Sequence, residues 1–138
     1  MENKRKISIL IPYYFDDQGS ISVFLQRRSK DAKVLPDYFG FFGGGADGNE
    51  TPNEALKREI KEELDIDPKE HKHFKEYVFE KSIKNVYFLN VNKDFENNIT
   101  VLEGQYGKWF TIEEAINEEK LIEDDKLVLR EFFDYVQI

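Results

Sequence analysis

The spacing of hydrophobic and polar residues predicts a chain of short strands and helices. Isoleucines occupy every second position at the start of residues 6–15, which is the spacing of a β-strand. A polar stretch at 16–20 is typical of a turn, and residues 21–27 alternate again. We therefore expect the first two strands to pair as a hairpin.

The remaining elements follow from the periodicities of strands and of helices. Aromatic and β-branched runs predict further strands at residues 38–42, 74–82, 85–91 and 106–110. Apolar residues at helical spacing, or a capping pattern, predict helices at about 52–64, 111–119 and 123–136. This mixture predicts an α/β (α+β) fold, in which helices cover a mixed sheet.

The composition indicates one folded domain. A length of 138 residues fits a single core, and we expect residues 1–138 to form one domain. Hydrophobic residues make up 40% of the chain, which argues against disorder. Since the sequence contains no cysteine, disulfides and thiolate metal sites are excluded.

The net charge limits the possible partners. At −8, the protein repels nucleic-acid backbones and anionic membranes, so we expect neither as a partner. A small anionic substrate would need cations to bring it in. Residues 1–15 have basic residues before an apolar run, but that run is short and leads into polar residues. We interpret it as a strand rather than a signal peptide, and expect a cytoplasmic protein.

Residues 43–66 place a glycine-rich loop directly before an acidic helix. Thr51 fits the N-cap position, Pro52 the first helical position and Glu54 the third, which together form a capping box. A core stripe follows at helical spacing, and Glu59, Glu62 and Glu63 share an arc of about 100° beside it. Carboxylate oxygens are the ligands that Mg²⁺ prefers, so this arc is a candidate metal site.

Each half of this stretch also has an ordinary interpretation. An acidic helix is commonly a solvated face whose charges pair four residues apart, as Glu54–Arg58 and Arg58–Glu62 would do here. Three adjacent glycines are commonly a tight turn. Only the spacing between the glycines and the glutamates can distinguish a metal site from these ordinary interpretations.

That spacing resembles the signature of the Nudix hydrolase family, G-x5-E-x7-R-E-U-x-E-E-x-G-U, where U is a bulky aliphatic residue. The matching residues are Gly44, Glu50, Arg58, Glu59, Ile60, Glu62, Glu63 and Ile66. Asp65 stands where the family has its second glycine. The flanking strands resemble those of mutator-type members, and the resemblance implies the family's α/β/α sandwich.

The resemblance implies a metal site and roles for its neighbours. Glu59, Glu62 and Glu63 would bind Mg²⁺ (or Mn²⁺), with the backbone carbonyl of Gly43 as a further ligand. Arg58 would orient these carboxylates. Glu50 would pair with Arg58 and be mainly structural.

Further residues are expected to complete the catalytic site and to bind the substrate. Some family members take the catalytic base from a distant loop, for which Glu103 is our candidate. The backbone at Gly44 and Gly45 permits close approach of a phosphate. Arg27 and Arg28 would contact phosphate, and Phe39 would stack on a base.

The resemblance implies hydrolysis of a nucleoside diphosphate-linked substrate. We expect a (d)NTP to give the nucleoside monophosphate and pyrophosphate, and we expect a monomer or homodimer. Hydrolysis of a nucleotide sugar or an RNA 5′ end stays open, as does a non-catalytic nucleotide sensor. A plain acidic domain with a chance match is the remaining alternative. At Asp65 we expect a left-handed helix end at a small cost in stability.

Overall fold

The computed structural model describes residues 4–137; residues 1–3 and 138 of the predicted domain lie outside the described part. Its elements are β1 (Arg5–Phe15), β2 (Ile21–Arg27), β3 (Phe39–Gly40), β4 (Phe42–Gly45), α1 (Pro52–Leu64), β5 (Lys72–Val78), β6 (Ser82–Asn90), a 3₁₀ helix (Lys93–Asn97), β7 (Tyr106–Thr111), α2 (Ile112–Asn117) and α3 (Glu123–Val136). The alternating pattern of strands and helices is the one expected.

The sheet is mixed and centres on β1. One edge of β1 pairs with β6 in parallel over residues 5–13. The other edge is shared, since β4 pairs with residues 7–10 and β2 with residues 13–15, both antiparallel. The sheet therefore forks beside β1. One branch continues from β2 to β3 and β7, and the other is β4 alone.

Helices cover both faces of the sheet, so the expected α/β/α sandwich is confirmed. On one face, α1 packs against the sheet through a core of Leu10, Phe24, Phe42, Leu56, Ile60, Leu64, Tyr87, Leu89 and Phe95. On the other face, α3 contributes Val128, Leu129, Phe132 and Phe133 to a larger core. Burial on both faces explains why β1 is apolar along most of its length rather than alternating strictly.

Local sequence signals set the starts of α1 and α2 correctly, although α2 ends at Asn117 rather than at the predicted residue 119. The side chain of Thr51 accepts a hydrogen bond from the backbone of Glu54, and the carboxylate of Glu54 accepts one from the backbone of Thr51. Thr111 and Glu114 form the same reciprocal pair at the start of α2. The bounds predicted for α1 and α3 agree with the structure.

Three of the predicted strands were wrong in detail. The run at 38–42 is two strands separated by Phe41, whose backbone N–H donates to the carboxylate of Asp125 instead of a neighbouring strand. The strands predicted at 74–82 and 85–91 are shifted, because the chain turns where the N–H of Phe79 donates to the carbonyl of Ser82. The turn at residues 79–82 contains Ser82 but no glycine, proline, asparagine or aspartate, so the sequence marked this position only weakly.

Candidate active site

The glycine strand β4 lies directly under the acidic face of α1. Gly43 has a φ of +139°, and a Cβ there would overlap the carbonyl oxygen of Ser8. A Cβ on Gly44 would lie 2.5 Å from the carboxylate carbon of Glu59. Gly43 therefore requires glycine, whereas a side chain at Gly44 would displace the Glu59 carboxylate, so the lack of side chains lets the glutamates of α1 reach the strand.

Arg58 connects the loop, the strand and the helix. Its Nε and Nη2 donate to the two carboxylate oxygens of Glu50 at 2.8 and 3.0 Å. Nη2 also donates to the carbonyl oxygen of Gly45 at 2.9 Å, and Nη1 donates to Glu59 at 2.9 Å and to Glu62 at 3.2 Å. The expected contacts of Arg58 with Glu50 and with the acidic arc are thus present. Hydrogen bonds from Arg58 lower the pKa of Glu50 and fix it as a carboxylate.

Glu63 is the most deeply buried carboxyl of the arc, with 3% of the residue exposed. The backbone N–H of Gly43 donates to its Oε1 at 3.1 Å. Burial raises the pKa of Glu63 to about 8, and the like charges of Glu103, Glu59 and Glu62 add to this effect. Burial also raises the pKa of Glu59. Both shifts arise because negative charge is concentrated where little water can stabilise it.

The side chains of this site are of the type that a hard divalent cation binds, but they are not arranged as a ligand set. Within residues 4–137, no three acidic or histidine side chains converge as a ready ligand set. Arg58 holds Glu59 and Glu62, and Gly43 contacts Glu63 through its N–H. The donors are nevertheless carboxylates that raise one another's pKa, and a cation among them would remove that repulsion.

The loop at 100–104 brings Glu103 beside the arc. The N–H of Leu102 donates to the carbonyl oxygen of Glu63 at 2.7 Å, and that of Thr100 to the carbonyl of Leu64 at 3.2 Å. Carbonyls at the end of a helix need such partners, so the loop is fixed to the end of α1. Glu103 is close enough for its charge to raise the pKa of Glu59 and of Glu63.

A cavity of about 470 Å³ opens on this loop. Its lining includes Glu103, Arg28 and Gln26. The side-chain amide of Gln26 donates to the backbone carbonyl of Glu103 at 3.1 Å. Gln26 was not predicted, although its place on the polar side of an otherwise apolar strand was a signal.

The predicted substrate-binding residues of β2 and β3 separate into two groups. Arg28 reaches the cavity beside Glu103 while its Nε donates to the carbonyl of Val34. Arg27 points elsewhere: its Nη1 donates to the Tyr106 hydroxyl at 2.7 Å. Its Nε lies 3.0 Å from Asp37, an ion pair whose geometry is too poor for a hydrogen bond.

Phe39 is a core residue. Only 4% of it is exposed, its ring packs against Phe110 with 4.9 Å between centroids, and the Arg27 guanidinium lies over it. These contacts leave the ring little surface for a substrate base. The structure therefore does not support the predicted stacking role of Phe39.

Sequence reasoning missed a buried ion pair near the glycine strand. Lys84 Nζ lies 2.9 Å from Asp125 Oδ1, and Asp125 is 4% exposed. Both residues line a cavity of about 140 Å³ beside Gly43 and Gly44. Burial raises the pKa of Asp125, while Lys84 opposes that shift. The signal was available, because Asp125 falls on the same helical stripe as Val128 and the other core residues of α3.

Asp65 adopts the left-handed conformation expected of the signature glycine. Its φ and ψ are 56° and 40°, and its N–H donates to the carbonyl of Lys61. The Lys61 side chain also pairs with the Asp65 carboxylate at 2.8 Å. Helix α1 therefore ends where the family pattern requires, despite the substitution. Between residues 4 and 137, no helix is long and apolar enough to cross a membrane.

Comparisons with known proteins agree with this geometry. A family model of the NUDIX domain matches residues 4–132. The chain is 33% identical over 110 residues to the 8-oxo-dGTP diphosphatase of Escherichia coli (strain K12), covering 78% of this chain and 82% of that protein.

Solved structures show the same fold at low identity. The NUDIX domain of Shewanella oneidensis NrtR, complexed with ADP ribose, superposes with a TM-score of 0.79 at 14% identity, covering 99% of this chain and 90% of that chain. A MutT/nudix family protein from Enterococcus faecalis gives a TM-score of 0.80 at 12% identity. There the match covers 99% of this chain but 63% of the other, which is longer.

Proposed function

The chain belongs to the Nudix hydrolase family as a pyrophosphohydrolase, and from that premise we propose that it converts a nucleoside triphosphate to the monophosphate and pyrophosphate. The observation that carries this proposal is the Arg58 network, which joins the acidic helix to the glycine strand. A curated relative that acts as an 8-oxo-dGTP diphosphatase supports a triphosphate substrate.

Glu59, Glu62 and Glu63, with the carbonyl of Gly43, would hold Mg²⁺ or Mn²⁺. When bound, such a cation neutralises a diphosphate and lowers the pKa of a water molecule. The protein's own residues position the metal ligands and the phosphate. Arg58 orients Glu59 and Glu62 by direct hydrogen bonds, and the bare backbone of Gly44 lets a phosphate approach the helix.

The reaction transfers the nucleotidyl group to water, with attack at its α phosphorus. The water oxygen forms a new bond to phosphorus, the bridging P–O bond breaks, and pyrophosphate leaves with the bond's electron pair. The proton lost by water passes to a carboxylate. Glu103 is our candidate for that base because it is exposed to solvent and lies near Glu59 and Glu63.

Two related functions have support of their own. The S. oneidensis NUDIX domain is complexed with ADP ribose, which favours a nucleoside diphosphate-linked sugar as a second candidate substrate. A nucleotide sensor without turnover would use the same cleft. An RNA 5′ end is less favoured, because the net charge of −8 opposes binding of a long polyanion.

A substrate screen with product identification tests the proposal. We expect Mg²⁺-dependent conversion of (d)NTPs to monophosphate and pyrophosphate. Nucleoside diphosphate and orthophosphate as the main products would contradict it. Thermal melting with Mg²⁺ plus nucleotide separates the other classes: a sensor is stabilised without turnover, and a plain acidic domain shows no joint stabilisation.

A further inference from the structure

Arg5 occupies the space beside the last residue of the glycine strand. A Cβ built on Gly45 would lie 3.2 Å from Arg5 Nε and 3.3 Å from Arg5 Nη2. The backbone of Arg5 is fixed at this place, because its N–H donates to Lys81 at 3.1 Å and it pairs with Ser82 in the sheet. The absence of a side chain at Gly45 therefore makes room for the guanidinium of Arg5.

Arg5 lines two cavities beside the candidate site. The larger, of about 1050 Å³, is also lined by Glu59 and by the loop at 45–50. The smaller, of about 140 Å³, is also lined by Gly43, Gly44 and Lys84. Arg5 therefore lines the cavities that are also lined by the glycine backbone and by Glu59 of the acidic arc.

Arg5 differs from the other arginines near the site in how it is paired. Arg58 is bound by Glu50 and Glu59, and Arg27 lies against Asp37. Arg28 has no carboxylate partner among the described residues, but its Nε donates to the carbonyl of Val34. Within residues 4–137, the guanidinium of Arg5 has no hydrogen-bond or ion-pair partner, and the residue is exposed. In a chain of net charge −8, an unpaired guanidinium facing a polar cavity beside the glycine strand is placed to bind an anion.

We propose that Arg5 binds the terminal (γ) phosphate of a triphosphate chain, which leaves as part of the pyrophosphate. This inference rests on the proposed function and identifies its substrate class. A diphosphate-linked sugar has no third phosphate and cannot use this contact. The planar fork of arginine suits two phosphate oxygens at once, which makes the contact a basis for selecting triphosphates.

The first experiment compares two substrates in the wild type and Arg5→Gln. For dGTP, we expect kcat/KM to fall about 10- to 100-fold, mainly through KM, as for the loss of a charge-assisted phosphate contact. For ADP-ribose, we expect a change within about twofold, since no third phosphate is present to lose its partner. Lys72→Gln is the matched control: it removes one positive charge from an exposed position of β5 and should leave both substrates unaffected.

Two further variants separate a contact from general charge. Arg5→Lys keeps the charge without the fork and should recover part of the dGTP activity. Gly45→Ala keeps the charge but forces the guanidinium to shift by a few tenths of an ångström, and should raise KM for dGTP more than for ADP-ribose. Equal losses on both substrates, or no loss on either, would overturn the assignment of Arg5.

A binding measurement keeps this inference separate from the proposed function. Calorimetry with Mg²⁺ and tripolyphosphate should show tighter binding than with pyrophosphate, and Arg5→Gln should abolish that preference. If nothing is hydrolysed while the preference is present and depends on Arg5, the proposed function fails and the phosphate site stands. If ADP-ribose proves not to be a substrate, this comparison decides alone. Absence of a preference in the wild type would refute the site.

Discussion

The backbone N–H of Gly43 donates to the buried carboxylate of Glu63 at 3.1 Å. This bond joins the glycine strand to the acidic helix, and it is a single neutral donor facing a group that burial makes costly to ionise. One such bond does not offset the desolvation of the carboxylate. Glu63 therefore destabilises the metal-free protein whenever it is charged.

Replacing Glu63 separates a ligand from a structural residue. Glu63→Gln should abolish most Mg²⁺-dependent turnover, because it removes a charged ligand from the proposed metal site. Near neutral pH, where Glu63 with its pKa of about 8 is mostly protonated, the metal-free variant should melt at the wild-type temperature. Above pH 8 it should melt slightly higher, because the repulsion of charged Glu63 with Glu59 and Glu62 is lost. Turnover and metal-free melting measure the two effects.

Glu54→Gln is the control for that experiment. Glu54 lies on the same helix but caps its start, and a glutamine can accept the same hydrogen bond from Thr51. Its turnover should stay near wild type. Full activity in Glu63→Gln would refute the proposed site, whereas a large drop in its metal-free melting temperature would show that Glu63 is structural.

The stability of the metal-free protein should fall as pH rises toward 8. The pKa of Glu63 is about 8 in the folded protein and ordinarily about 4.5. Between these values the folded state binds the proton more tightly, so its contribution to stability is complete below pH 4.5 and is lost as pH rises through 8. Denaturant unfolding at several pH values should show this slope in wild type and lack it in Glu63→Gln. Parallel pH profiles would contradict the assignment to Glu63.

Restoring the signature glycine should stabilise the protein slightly. Asp65→Gly should raise the free energy of unfolding by about 0.5–1 kcal/mol, since glycine adopts the left-handed conformation without steric cost. The ion pair lost with Lys61 is solvent-exposed and offsets little of this gain. Turnover should change within a few-fold. Chemical denaturation measures the gain, and a clear loss would mean that the Lys61–Asp65 contact outweighs the backbone effect.

Breaking the buried pair beside the glycine strand should be costly. Lys84→Met leaves Asp125 buried without its cation and should lower the free energy of unfolding by about 3–5 kcal/mol. The double variant Lys84→Met/Asp125→Asn removes the uncompensated charge and should recover part of that loss. Urea unfolding of the three proteins tests this. A single variant as stable as wild type would show that Asp125 is neutral or hydrated when Lys84 is absent.

The sequence was most informative where a local rule acts. Capping boxes set the starts of α1 and α2, and the resemblance to the Nudix signature implied the contacts of Arg58 with Glu50 and with the acidic arc. The left-handed end at Asp65 followed from the same spacing. Each of these features depends on residues that are close along the chain or share a known motif.

Long-range contacts could not be predicted in the same way. Phe41 interrupts the expected strand because Asp125, 84 positions later, accepts its N–H. The burial of Phe39 and the position of Arg5 beside Gly45 likewise depend on how separate strands pack. No local pattern contains that information. The helical stripe of α3 could have indicated that Asp125 is buried, but not that Lys84 is its partner.

The fork beside β1 divides the molecule into two parts that can vary independently. The branch of β4 and α1 carries the glutamates, whereas the branch of β2, β3 and β7 carries Arg28 and Gln26. Because β2 and β4 bond to different stretches of β1, a change in the pairing of one does not shift the register of the other. Substitutions on the second branch can therefore change substrate contacts such as those of Arg28 without disturbing the Arg58 network that holds the glutamates of the first.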